Sequence, residues 1–120
     1  MAKILIVDDS SFMRTMLKNI LLENKYEIVG EASGGKDALE KYKTLKPDLV
    51  TMDMIMADMN GIDVAREIMQ FDSKAKVVMV SAMGQQILMD EAIKAGVKDF
   101  IIKPFQEEKV KEVIAKVIAG

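Results

Sequence analysis

The sequence predicts an α/β fold: a five-stranded parallel sheet with five helices distributed over its two faces. Three observations carry this. Short apolar runs alternate with stretches whose apolar residues recur at helical spacing. The runs are continuously apolar, as expected of strands buried on both faces of a parallel sheet. Glycine, proline and asparagine steps punctuate the boundaries between the two kinds of segment.

In chain order, Ile4–Val7 forms the first strand. Met13, Met16, Leu17, Ile20 and Leu21 then trace one face of a helix. Glu27–Val29 reads as the second strand, and Gly34-Gly35 breaks the chain after it. Pro47 separates the next helical stretch from the third strand, Leu49–Met52. Asn60-Gly61 opens another helix, and Val77–Val80 is the fourth strand. Beyond Gly84 a helix runs roughly from Gln85 to Ala95 and stops at Gly96. Phe100–Ile102 is the fifth strand. Val110, Val113, Ile114, Val117 and Ile118 mark the last helix. Ser10 and Asn60 are suited to cap the helices that follow them. Five β/α units with right-handed crossovers leave few topologies.

Composition bounds the chemistry. The 120 residues suit one domain, 1–120, large enough to bury a core. A net charge of −2 offers no basic field for nucleic acid or an anionic membrane, so neither is expected as a partner. There is no cysteine and no histidine, which removes thiol catalysis, thiolate metal sites, the commonest general base and the commonest transition-metal ligand. Any metal must be held by oxygen, which favours Mg²⁺, Mn²⁺ or Ca²⁺. The start "MAKILIVDD" has no signal-peptide pattern, and no apolar run approaches ~18 residues. A cytoplasmic location is the expectation. The 11 methionines read as soft core packing.

Open α/β sheets build their sites outside the carboxyl ends of the strands. Asp8 and Asp9 follow the first strand. Glu31-Ala32-Ser33 ends the second, Asp53 the third, Ser81 the fourth and Lys103-Pro104 the fifth. Alone, each has an ordinary explanation: an aspartate can cap a helix, Ser81 can sit in a turn, and Lys103 can be a solvated surface cation. Together they bring three acids, a hydroxyl and an ammonium to one sheet edge. Clustered carboxylates repel and call for a cation. A hard divalent ion beside a carboxylate nucleophile, with a lysine to pair phosphoryl oxygens, suits phosphoryl transfer. Asp53, the lone acid ending "LVTMD", is the better nucleophile candidate, with Asp8 and Asp9 on the metal side.

The segments "ILIVDD", "LVTMDMIMADMNG", "VSA" and "DFIIKPF" resemble the response-regulator receiver domains of two-component systems, and the resemblance covers essentially the whole chain. "DDSSFMR" and the chain length are most similar to the chemotaxis regulators of the CheY type. The resemblance implies a flavodoxin-like receiver fold with strand order 2-1-3-4-5. It makes Asp53 the phosphoacceptor for a histidine kinase of the chemotaxis type. It places Mg²⁺ (or Mn²⁺) on Asp8, Asp9, Asp53 and the Ile55 carbonyl. It gives Ser81 the switch hydroxyl, Phe100 the aromatic rotamer switch, and Lys103 the phosphoryl contact, with a cis Lys103–Pro104 bond. It implies a monomer that catalyses only its own phosphorylation and slow dephosphorylation. A flagellar or archaeal motility target or adaptor lies downstream, and a phosphatase is a further partner. Three departures stand out: Ala57 where the family usually has proline, Ser81 where threonine is commoner, and Phe100 where well-known chemotaxis members carry tyrosine.

Two surfaces follow. On the fourth helix Leu88, Ala92 and Ala95 form one apolar stripe, and Met89 and Ile93 form a second. One stripe suffices to pack a helix on a sheet. The second is either extra core or an exposed patch. The family's output face is built from the fourth helix, fifth strand and fifth helix, so the resemblance implies that Met89, Ile93 and Phe100 meet the downstream partner. In the receiver family the positions two residues after the phosphoacceptor and the switch hydroxyl flank the phosphoryl group, so the resemblance implies that Ile55 and Met83 flank water access. Being apolar, they cannot orient a water. Two rival readings use the same fold class. An FMN carrier needs a phosphate-cradling first loop, which "DDSS" would repel. A phosphatase of the haloacid-dehalogenase type needs its second acid two residues beyond the first, whereas Asp8 and Asp9 are adjacent.

Overall fold

The computed structural model describes residues 1–82 and 85–120. Ten elements alternate along the chain: β1 Lys3–Val7, α1 Ser11–Glu23, β2 Glu27–Ala32, α2 Gly35–Leu45, β3 Leu49–Asp53, α3 Gly61–Phe71, β4 Val77–Ala82, α4 Gln86–Lys94, β5 Asp99–Lys103 and α5 Glu107–Ala119. The five strands are parallel and lie in the order β2-β1-β3-β4-β5. This is the sheet expected from the sequence.

The sheet divides the core by side-chain parity, because successive residues of a strand point to opposite faces. Leu5 and Val7, Val50 and Met52, and Val77 and Met79 pack with Ala38, Ile62, Ile68 and Ala92 from α2, α3 and α4. Ile4 and Ile6, Leu49, Val78, Val80 and Ile101 pack with Leu17, Leu21, Val110, Ile114 and Val117 from α1 and α5. The methionines do serve packing: Met52, Met54, Met56 and Met79 are buried, and Met59, Met69 and Met89 lean on the same cluster.

Local chemistry sets the helix starts. Ser10 caps α1, its hydroxyl accepting from the Met13 amide at 3.2 Å. Asn60 caps α3, accepting from the Ile62 amide at 2.7 Å. Four strands run past the apolar runs that mark them. Backbone pairing continues where polar side chains begin, as in Asp53↔Val80, Ser81↔Ile102 and Ala82↔Lys103. Hydropathy sees side chains, whereas the ladder is made by the backbone. The functional residues at these ends are therefore fixed by strand pairing rather than hung on loops. Gly61 permits a tight exit from β3, since a methyl group there would overlap the Asp53 carbonyl. Among the described residues, no helix is long and apolar enough to cross a membrane.

Candidate functional site

The carboxyl ends of β1, β3, β4 and β5 bring Asp8, Asp53, Ser81 and Lys103 to one edge of the sheet. Asp8, Asp53 and Ser81 are buried, whereas Asp9 is exposed. Each of Asp8, Asp9 and Asp53 offers a carboxylate oxygen within 4.8 Å of the other two. Lys103 spans the buried pair: its Nζ lies 3.1 Å from Asp8 Oδ2 and 3.4 Å from Asp53 Oδ1. The Lys103–Pro104 peptide is cis.

Asp8 is held on three sides. Its Oδ1 accepts from the Ser10 amide at 2.9 Å, its Oδ2 meets Lys103, and its carbonyl accepts from Arg14 Nη1 at 2.5 Å. Arg14 is anchored in turn, its Nε 3.2 Å from Glu31 Oε1, and Lys18 shares that carboxylate at 3.2 Å. These two cations hold the Glu31 carboxyl below its usual range against the opposing effect of burial. Arg14 was legible only as part of a motif. Its role depends on Glu31, which lies 17 residues away and on another element, so no local spacing reveals it.

Asp53 behaves differently. Burial, reinforced by the neighbouring Asp8 charge, raises its pKa to about 6, with Lys103 pulling the other way. A carboxylate that is costly to ionise when metal-free is primed for a cation. The donors suit a hard ion: all are oxygens. Ile55, whose carbonyl is the fourth expected ligand, lies in the short loop after β3 and forms an isolated antiparallel bridge with Asn60.

Ser81 is 2% exposed, and its Oγ has no hydrogen-bond partner among the described residues. A buried hydroxyl is normally paired, so this one is available to an incoming oxygen. Phe100, opposite Met79 in the sheet, is half-buried and leans on the first core cluster. Met89 leans on that cluster too and is only partly available to a partner, whereas Ile93 is 58% exposed. Ile87, which fell outside both stripes read from the sequence, is 78% exposed. The Ile55 side chain is also largely exposed. Met83 lies outside the described residues.

This geometry has close counterparts. The family model for the response regulator receiver domain matches residues 4–115. The chemotaxis protein CheY of Thermotoga maritima is 58% identical over 115 residues, covering 96% of this chain and 96% of that protein. CheY of Bacillus subtilis is 54% identical over 116 residues, covering 97% of each. A crystal structure of the CheX-CheY-BeF3-Mg+2 complex from Borrelia burgdorferi matches with a TM-score of 0.93 at 37% identity, over 97% of this chain and 88% of that one. With its acids, hydroxyl and lysine at four strand ends and a match over nearly its whole length, this chain belongs to the response-regulator receiver family.

Proposed function

We propose that this protein is a chemotaxis-type response regulator that accepts a phosphoryl group on Asp53 from a histidine kinase and thereby changes its affinity for a motility partner. The observation that carries this reading is the pairing of a buried, pKa-raised Asp53 with a shared Lys103 and a buried Ser81 hydroxyl that has no hydrogen-bond partner among the described residues. The CheY relatives support it, as does the Borrelia CheY complex, which contains beryllofluoride and magnesium.

Asp8, Asp9, Asp53 and the Ile55 carbonyl would hold Mg²⁺, and Mn²⁺ has the same oxygen preference. When bound, the ion neutralises charge on the carboxylates and on the phosphoryl oxygens. An Asp53 carboxylate oxygen attacks phosphorus. The bond from phosphorus to the kinase imidazole, or to the oxygen of a small acyl phosphate, breaks, and the leaving group departs with that electron pair. Lys103 and the Ser81 hydroxyl take phosphoryl oxygens. Movement of Ser81 toward the new group would free room for the Phe100 ring, biasing an existing equilibrium toward the partner-binding state. Partner contact would involve Ile93, the exposed part of Met89, and Phe100. A phosphatase would supply the polar group that Ile55 does not.

Incubation with acetyl phosphate and Mg²⁺, read by intact mass, tests the assignment. One phosphoryl group should add to the wild type, be lost in alkali, and be absent from Asp53→Asn. A full mass gain retained in Asp53→Asn would refute it.

A further inference from the structure

The loop from residue 54 to residue 60 leads from the phosphoacceptor to α3 and is closed at its base. Ile55 bridges Asn60, and the Gly61 amide donates to the Met54 carbonyl at 2.8 Å. Its tip is fastened to a different helix. Asp58 Oδ1 accepts from the Gly35 amide at 2.9 Å, and Oδ2 accepts from the Lys36 amide at 3.3 Å. These are the first two amides of α2, whose own N-cap, Gly34, provides no side-chain acceptor. Helix-initial amides need an outside partner, and an N-cap side chain normally provides it. Here a carboxylate from another loop provides it, with its charge at the positive end of the helix. The same two amides hold the Asp58 carboxyl below its usual range.

The fit is built from both sides. Gly34 has φ −164°, an extended conformation open to any residue, so glycine is not required by the backbone. It is favoured by space: a methyl group there would lie 2.8 Å from Asp58 Oδ1, so the carboxylate would have to shift off the cap. A methyl group on Gly35 would lie 2.7 Å from Met59 Cβ. The loop needs such a fastening, because Ala57 has no ring to fix its φ.

We infer that Asp58 is a positioning residue for phosphoryl transfer: by capping α2 from the β3–α3 loop, it holds that loop, and with it the Ile55 carbonyl, in the arrangement that receives the metal. The inference rests on the proposed function. Coupling of this kind is reciprocal. If the cap favours the metal-binding loop, Mg²⁺ must strengthen the cap by the same factor.

The test is calorimetric Mg²⁺ titration of wild type, Asp58→Ala, Asp58→Asn and Gly34→Ala, with amide exchange followed at residues 35 and 36. Asp58→Ala and Gly34→Ala should each weaken Mg²⁺ binding by about fivefold or more. Asp58→Asn keeps one of the two acceptor oxygens and loses the charge, so its affinity should fall between those of wild type and Asp58→Ala. In the wild type, Mg²⁺ should slow exchange at both amides. A cap that served stability alone would lower the melting temperature of Asp58→Ala yet leave its Mg²⁺ affinity at the wild-type value, and that result overturns the inference. Wild type that neither binds Mg²⁺ nor takes a phosphoryl group would instead remove the functional reading beneath it.

Discussion

Asp9 and Ile55 show how little a residue's type says until its exposure is known. Asp9 follows the buried Asp8 and Ile55 lies two residues past the buried Asp53, and both face solvent. Asp9 therefore loses little solvation in the metal-free protein, and Ser10 rather than Asp9 caps α1. Ile55 is 60% exposed, and under the proposed function it would stand at the rim of the site rather than in its floor. An apolar rim offers no hydrogen bond to a water aligned with phosphorus. Ile55→Asn supplies one, and about 1.4 kcal/mol in the barrier is a tenfold change in rate. The expected outcome is a phosphoryl half-life roughly tenfold shorter than wild type, measured by loss of label after the donor is removed. An unchanged half-life would show that hydrolysis is limited elsewhere.

At the scale of elements, α4 separates packing from recognition. Ala92 is fully buried, Leu88 and Met89 lean on the core, and Ile87 and Ile93 face outward. A groove between β5 and α5 is lined by Phe100, Ile102, Pro104, Lys109 and Val113. Met89→Ala removes core contacts and should destabilise by about 1–2 kcal/mol. Ile93→Ala should leave stability within about 0.5 kcal/mol of wild type, while weakening capture of the partner by beryllofluoride-loaded protein. Urea unfolding and a binding titration on the same samples separate the two effects. Ile93→Ala binding as tightly as wild type would remove α4 from the recognition surface. The two-stripe pattern was legible in the sequence, but its meaning was not. Periodicity gives the angle between residues around a helix; the neighbouring elements decide which angle faces the core.

Across the whole molecule, the legible parts of the fold were those set by short-range pattern: five apolar runs, two well-marked helical faces, and the two serviceable caps. The strand ends were read short, because pairing is carried by backbone atoms that hydropathy does not see. The acids, Ser81 and Lys103 were legible because a parallel sheet brings all its strand ends to one edge. Arg14–Glu31 and Asp58–Gly35 were not, since each joins residues far apart in sequence through geometry that only the folded chain defines. The strand-end cluster also makes global stability depend on pH. Folding raises the Asp53 pKa from the usual value near 3.8 to about 6. Folding thus favours its neutral form, so the associated stability is complete below about 3.8 and is lost as pH rises through about 6. In EDTA at pH 7.5, Asp53→Asn should be more stable than wild type by on the order of 1–2 kcal/mol. The gap should narrow at pH 4.5. Mg²⁺ at ~10 times its dissociation constant should return roughly 1.4 kcal/mol to the wild type alone. A urea midpoint for Asp53→Asn at or below that of wild type in EDTA would contradict this account.

The Lys103 ammonium between Asp8 and Asp53 has a consequence for valence. Three carboxylates against one ammonium leave the ionised site two charges short of neutrality. A monovalent ion would leave it negative, and a trivalent ion would leave it positive. A dication brings it to balance, and the lysine that takes up part of the acids' field keeps them from gripping that ion too hard. Under the proposed function the chain would thus carry, as one of its own side chains, the counter-charge that tunes its affinity for a metal and leaves room for a phosphoryl group.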